Sequence, residues 1–259
     1  MRIKFMNTEI DNVTIDEALD AIDNLIKDGK PSYVVTPNVD HIVQLETDEE
    51  FREVYKNADL ILTDGKPLIW ISKKYKTPIK EKISGSDLFP KLCAMAAEKN
   101  YSMFFLGAKE GVAAKAAENL TLKFPGLNVV GTYSPSFGFE NNADELEKIF
   151  SMIRQTTPHI LIVGLGAPKQ EKFIAKYLTN LNVPVSLGLG ASLDFEAGTV
   201  KRAPKWMSDH GFEWLYRVLK EPKRLFKRYW RDMKMIRPLI KKYNPKNVKS
   251  SKKNNENID

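Results

Sequence analysis

Two neighbouring stretches, Tyr33-Val-Val-Thr-Pro-Asn-Val-Asp-His41 and Ala58-Asp-Leu-Ile-Leu-Thr-Asp-Gly-Lys-Pro-Leu68, decide how this chain is read. Residues 33–35 and 60–62 are short β-branched or aliphatic runs that stop at turn-forming residues, the pattern of buried strands. Each run ends in a threonine, Thr36 and Thr63, and polar side chains follow at once: Asn38 and Asp40 after the first, Asp64 after the second. In a parallel sheet both endings lie on the carboxyl edge, where open α/β sheets bind ligands. Gly65 and Pro67 follow Asp64, so a tight turn can present its carboxylate to a cleft. Asp64 is the first candidate for chemistry.

The same alternation continues on both sides. Thr14-x-x-Glu17 is a capping-box pattern, Ile15, Leu19, Ile22 and Ile26 recur at helical spacing, and Gly29 closes the helix. Residues 38–57 read as mostly helical, with a charged patch at 46–50 expected to be solvated surface, and Ile69-Trp70-Ile71 as a buried helix face. Ser84-Gly-Ser-Asp87 opens a helical run to Asn100; its amides and hydroxyls suit a phosphate or a sugar hydroxyl, and equally an ordinary N-cap. Strands are expected at 103–106, 127–131, 160–163 and 183–190. Gly107-Ala-Lys-Glu-Gly111 follows the first of these, and a strand–glycine–helix unit suits a nucleotide or phosphate. Gly164-Leu-Gly166-Ala-Pro-Lys169-Gln170-Glu171 resembles the start of a dinucleotide fingerprint, but a lysine stands where the third glycine belongs. The succession predicts an α/β fold: a Rossmann-like, largely parallel sheet flanked by helices, over residues 1–198.

After Gly198 the character changes. The chain carries a net charge of +7, but residues 200–259 hold 18 Lys and Arg against 6 Asp and Glu, whereas the rest holds 22 against 27. Basic residues interleave with Trp206, Trp214, Phe226, Tyr229, Trp230 and Met233. This predicts a basic amphipathic helical appendage at 199–243, divided into short helices by Pro222 and Pro238, and a disordered Lys/Asn-rich tail at 244–259. Such asymmetry points to an anionic partner, nucleic acid or membrane surface. The single cysteine, Cys93, excludes an internal disulfide and falls on an apolar helix face. His41, His159 and His210 lack zinc-ligand spacing. No signal-peptide core and no uncharged run of membrane-spanning length is present, so a cytoplasmic protein is expected.

Taken together, these motifs resemble the WecG/TagA/CpsF glycosyltransferase family, and in particular its members that transfer N-acetylmannosamine in teichoic-acid synthesis. The resemblance runs from about Tyr33 to Trp230. It rests on Thr36-Pro-Asn38-Val-Asp40, Thr63-Asp64-Gly65, Ser84-Gly-Ser-Asp87, Gly164 to Glu171, Gly190-Ala-Ser-Leu-Asp-Phe, Arg202-Ala-Pro204 and Glu213-Trp-Leu-Tyr-Arg217. It implies inverting transfer from a UDP-sugar donor, UDP-N-acetylmannosamine, to undecaprenyl-diphosphate-linked N-acetylglucosamine, forming the β-1,4 linkage unit of wall teichoic acid. Some relatives use N-acetylmannosaminuronic acid or glucose instead. It further implies Asp64 as catalytic base, with Thr36, Asn38 and Gln170 in the pocket. The appendage is implied to engage the anionic inner face of the membrane and to contribute arginines; Arg217, Arg224 and Arg228 match, Lys227 standing beside the last.

Chemistry narrows the choice. Sugar transfer needs a base on the acceptor hydroxyl and a cation on the departing diphosphate. No Asp-x-Asp metal motif is present; Asp194-Phe-Glu196 is the nearest approximation and suits turn or cap duty. Arginines offer a metal-free alternative through paired, charge-assisted hydrogen bonds. The expected site is therefore Asp64 with Thr36, Asn38, Asp40, Ser84, Gly107, Gly166, Lys169, Gln170, Glu171, Arg217, Arg224 and Arg228, with no metal, no other cofactor and no nucleic-acid partner. The alternatives are an NAD-dependent oxidoreductase, suggested by the glycine-rich turns alone, and a basic-tailed membrane adaptor.

Overall fold

The computed structural model describes residues 1–247, apart from the side chains of Lys205, Asp209 and Arg224. The chain opens on an antiparallel hairpin, β1 (Arg2–Phe5) and β2 (Thr8–Asp11). Six further strands follow: β3 (Ser32–Val35), β4 (Leu60–Ile61), β5 (Ser102–Gly107), β6 (Asn128–Tyr133), β7 (Ile160–Gly164) and β8 (Val185–Gly188). They form one sheet in the order β4-β3-β8-β7-β5-β6, every pairing parallel. The α/β expectation holds, and the sheet is more uniform than expected.

The hairpin is not legible in the sequence, because four-residue strands with charged outer positions lack an apolar run. It covers the β4 edge: Asp11 Oδ2 accepts from the Ile61 N–H at 2.9 Å, and the Arg2 guanidinium donates to the Ala58 and Asp59 carbonyls. A free sheet edge is thereby closed.

Helices cover both faces. Ile42, Phe51, Ile149 and Phe173 belong to the core on one face, and Ile22, Leu92, Ala116 and Leu193 to the core on the other. The helices after β3 (Val39–Gln44) and β7 (Lys169–Lys176) leave towards the first face; those after β5 (Val112–Lys123) and β8 (Ala191–Glu196) leave towards the second. Neighbouring strands therefore send their connections to opposite sides, which opens a crevice above their carboxyl ends.

Local signals act as read at several ends. Thr14 and Glu17 form a reciprocal capping box, and Gly29 closes the helix Ile15–Asp28 with φ 71°. Cys93 is fully buried. Three readings are corrected. Trp70 is 53% exposed, while Leu68 and Ile71 point inward. The acidic patch at 46–50 is not simply solvated: Glu46 accepts from Asn7, Lys242 and Tyr243, and Asp48 and Glu50 hold Lys172. Pro238 does not divide the last helix, which runs unbroken from Pro222 to Lys242. Its far end is gripped from outside, with the Tyr75 hydroxyl donating to the Ile240 carbonyl at 2.7 Å and Leu239 buried in the core. These contacts offset the bond that the proline removes. The part of the expected tail at 248–259 lies outside the described residues.

Candidate active site

The two motifs that open the reading meet. The Asp64 N–H donates to the Pro37 carbonyl at 2.9 Å, and the Ile83 N–H to the Thr63 carbonyl at 2.7 Å, so the ends of β3 and β4 are tied together. Gly65, at φ 100°, makes the turn into the helix Lys66–Lys74, directly after Asp64. Asn38 caps the helix Val39–Gln44, its Oδ1 accepting from the His41 N–H at 3.2 Å. His41 is buried against Tyr55, with Nδ1 2.5 Å from the tyrosine hydroxyl. Burial pushes its pKa down to about 4, so it is a neutral packing group at physiological pH.

Two cavities adjoin here. The larger, about 1050 Å³, lies over the carboxyl ends of the sheet, is glycine-walled and is far richer in polar groups than the second. The smaller, about 480 Å³, is bounded by the helices Lys66–Lys74, Glu213–Lys220 and Pro222–Lys242 and is largely apolar, with Trp70, Trp214, Met233 and Ile236 among its walls. Asn38, Asp40, Asp64, Glu213, Arg217 and Arg228 line both. Asp64 thus stands at the junction of a polar cleft and an apolar one.

The electrostatics of Asp64 suit a base. Its carboxyl is half-buried, and burial pushes its pKa up to about 7, with the Glu213 carboxylate adding to the rise while Lys82 and Arg217 oppose it. A carboxylate poised near neutrality can both take and release a proton at physiological pH. Lys82 donates to Asp87 at 2.7 Å, and Arg202 holds the other oxygen of Asp87 at 2.6 Å. Ser84 caps the helix Gly85–Lys99 and also donates to Asp87.

Of the expected site residues, Thr36, Asn38, Asp40, Asp64, Ser84, Gly166, Lys169, Gln170, Arg217 and Arg228 all line the larger cavity. Gly107 and Glu171 do not; both stand behind its wall. Gly107 lies at φ 111° where β5 passes β7, and a Cβ there would sit 2.6 Å from the Gly164 carbonyl oxygen. Its missing side chain serves strand packing. Glu171 is 1% exposed, and its Oε1 accepts from Gln170 Nε2 at 2.8 Å. Burial pushes its carboxyl up to about 7. The side chain of Arg224 lies outside the described residues.

Gln170 is committed inward as well as lining the cleft. Its Oε1 accepts from the Gly166 and Gly190 N–H groups, each at 3.1 Å. It fits because Gly188 has no side chain: a Cβ there would stand 2.9 Å from Nε2. The glutamine thereby cross-links the turns after β7 and β8. Lys169 pairs with Glu140 at 2.7 Å and lies over the Phe139 ring. Asp40 is buried and holds the appendage, paired with Arg231 and 3.8 Å from Arg228.

Sequence reasoning missed Lys82, Glu213, Arg231 and Asp232. Glu213 lies within the quoted Glu213-Trp-Leu-Tyr-Arg217 segment. Asp232 carries a signal of its own, as an acid within a basic run. Among the described residues no group of three or more His, Cys, Asp and Glu side chains is placed to hold a metal ion. None of the described helices is long and apolar enough to cross a membrane.

Comparison with known proteins agrees with this geometry. The model of the family described as "Glycosyl transferase WecG/TagA/CpsF family" matches residues 3–248. The chain belongs to this family. It is a glycosyltransferase, and the oxidoreductase and adaptor readings fall away. A Bacillus spizizenii W23 relative is 34% identical over 208 residues, covering 80% of this chain and 77% of its own. A Bacillus subtilis 168 relative is 31% identical over 189 residues, covering 73% and 69%. Both are named N-acetylglucosaminyldiphosphoundecaprenol N-acetyl-beta-D-mannosaminyltransferase.

Proposed function

We propose that this glycosyltransferase moves N-acetylmannosamine from UDP-N-acetylmannosamine to N-acetylglucosaminyl-diphospho-undecaprenol, with inversion at the anomeric carbon to give a β-1,4 linkage. One observation carries the reading: Asp64 stands where a polar, glycine-walled cleft meets an apolar cavity. The UDP-sugar occupies the first and the acceptor sugar with the start of its lipid the second. The relatives' names support N-acetylmannosamine as the transferred sugar, and the family resemblance supports a UDP donor.

The chemistry follows from that placement. Asp64 takes the proton of the acceptor hydroxyl as its oxygen attacks the anomeric carbon. A new C–O bond forms on the face opposite the departing UDP, and the bond from that carbon to the diphosphate oxygen breaks. The charge that develops on the leaving diphosphate is met by Arg217 and Arg228, which line both cavities. Guanidinium groups suit this task because their planar N–H donors match phosphate oxygens in pairs. A carboxylate base contributes about 10²–10⁴-fold in rate. The reaction so described needs no metal.

The exposed apolar and basic residues between Trp206 and Trp230 are assigned to the membrane surface. Trp206, Phe212, Leu219, Phe226 and Trp230 are exposed among lysines and arginines, and each such cation contributes about 1 kcal/mol near an anionic leaflet. A lipid-linked acceptor is reached from that surface, which supports a peripheral position on the cytoplasmic face.

The test is incubation of the purified full-length chain with a panel of UDP-sugars and a lipid-diphosphate-GlcNAc acceptor, with and without EDTA. EDTA-insensitive turnover of UDP-N-acetylmannosamine is expected. Preference for UDP-glucose or UDP-N-acetylmannosaminuronic acid overturns the sugar, and loss with EDTA overturns the metal-free mechanism.

A further inference from the structure

The helix Pro222–Lys242 carries nine lysines and arginines and one acid, Asp232. An acid in that company would be expected to stand in water beside its cationic neighbours. Asp232 instead is 2% exposed and lines the apolar cavity that also holds Asp64. Its Oδ1 accepts from Arg231 Nε at 3.2 Å and Nη2 at 3.0 Å. Its Oδ2 is buried without a hydrogen-bond partner. Burial, with the nearby Asp40 carboxylate, pushes the group up to about 6 against the opposing pull of Arg231. Buried polar oxygens are nearly always satisfied, and one that is not destabilises the fold that holds it. Because Asp232 lines a cavity, a donor entering that cavity is the partner within reach of this oxygen.

Among the groups that the proposed substrates carry, the chemistry of that partner follows by elimination. A phosphate is repelled by a carboxylate and is better served by Arg217 and Arg228, whose Nε atoms are also buried without partners. An alkyl chain gains nothing from Oδ2. An O–H or N–H donor satisfies it.

We propose that Asp232 Oδ2 receives a hydrogen bond from a hydroxyl or the amide N–H of the acceptor's amino sugar, and so sets acceptor specificity. This rests on the glycosyltransferase reading above and deepens its acceptor side. Arginines then hold the diphosphate, Asp64 faces the attacking hydroxyl, and Asp232 reads a second polar group of the same sugar.

The experiment is a coupling measurement on the full-length chain. Transfer is followed to the parent lipid-diphosphate-GlcNAc and to a panel of acceptors, each lacking one hydroxyl or the N-acetyl group. Wild-type enzyme should discriminate against one of them beyond the site of attack by at least about tenfold in kcat/KM. In Asp232→Ala that discrimination should fall to within about twofold, while the KM for the donor stays unchanged. Asp232→Asn keeps the shape and an oxygen towards Arg231, and should give an intermediate ratio; it decides the matter if the alanine variant does not fold. A merely structural Asp232 would lower turnover of every acceptor alike and leave the ratios as in wild type, and that result overturns the proposal. Absence of transfer to the parent acceptor by wild-type enzyme overturns instead the function on which it rests.

Discussion

Burial, with the Glu213 carboxylate, raises the Asp64 carboxyl to about 7, and two outcomes are expected. Asp64→Asn keeps the shape but cannot take a proton, so transfer should fall by at least about 10²-fold with UDP binding retained; near-wild-type turnover would sink the assignment. The wild-type rate should rise with pH through about 7. Stability moves the other way. A carboxyl whose pKa is raised on folding favours the folded state most below the unfolded value near 3.8, and that advantage is lost as pH rises through about 7. Asp64→Asn should therefore raise stability at pH 8 by as much as about 4 kcal/mol and much less at pH 4, as read by urea denaturation at the two pH values. Gln170 makes a different case. Sequence reading placed it in the pocket, and it lines the cleft, but its amide oxygen is already shared between Gly166 and Gly190. Gln170→Ala should loosen both turns, lowering stability by about 1–2 kcal/mol and raising the donor KM more than it lowers kcat. Unchanged donor KM would return Gln170 to a purely structural place. Its sequence signal was a glycine-rich turn; what the glutamine does there depends on Gly188 and Gly190, which reach it only through the fold.

Elements show where local rules yield to contacts. The helix Pro222–Lys242 contains Pro238, which removes an N–H from its interior. Reading the proline as a break was sound local chemistry. The helix persists because Leu239 is buried and Tyr75 and Glu46 grip its end. Pro238 is exposed, so Pro238→Ala should restore a helical donor and stabilise the end of the helix by about 1–2 kcal/mol, seen as slower amide exchange over 234–242. No change in exchange would mean that the external contacts alone set the stability of that end. Gly107 is the opposite case, a position whose role in a tight crossing was hidden by its resemblance to a phosphate-loop glycine. Gly107→Ala meets the Gly164 carbonyl at 2.6 Å from a backbone at φ 111°, and should lower stability by at least about 2 kcal/mol without a selective effect on donor affinity.

For the whole molecule, the question is how far the segment after Gly198 belongs to the core. Leu239 belongs to the same core as Tyr75 and Ile71, and Met235, Ile236, Ile240 and Tyr243 pack against that core, so truncation there uncovers apolar surface. The truncated chain should keep its α/β circular dichroism, lose solubility, and lose both liposome binding and transfer. Added salt should weaken binding of the full chain to anionic liposomes, since much of the attraction between exposed charges is screened within about 8–10 Å. A water-soluble, short-chain acceptor separates anchoring from catalysis. If truncated and full chains use it equally well, Arg217 and Arg228 have no part in the reaction.

The sequence by itself determined the α/β class, the strand endings at Thr36 and Thr63, the Asp64–Gly65 turn and the charge asymmetry. Each is encoded over a few adjacent residues, through apolar runs, glycine conformations and capping side chains that act wherever the chain goes. Tertiary structure decided what those pieces face. The all-parallel strand order, the closing of the β4 edge by Asp11, the burial of Glu171 behind the cleft and the meeting of Asp64 with Glu213 depend on residues far apart in the chain. Asp232 illustrates the division most plainly. Sequence shows an acid in a basic helix, but only packing against the apolar cavity removes it from water and leaves one oxygen without a partner.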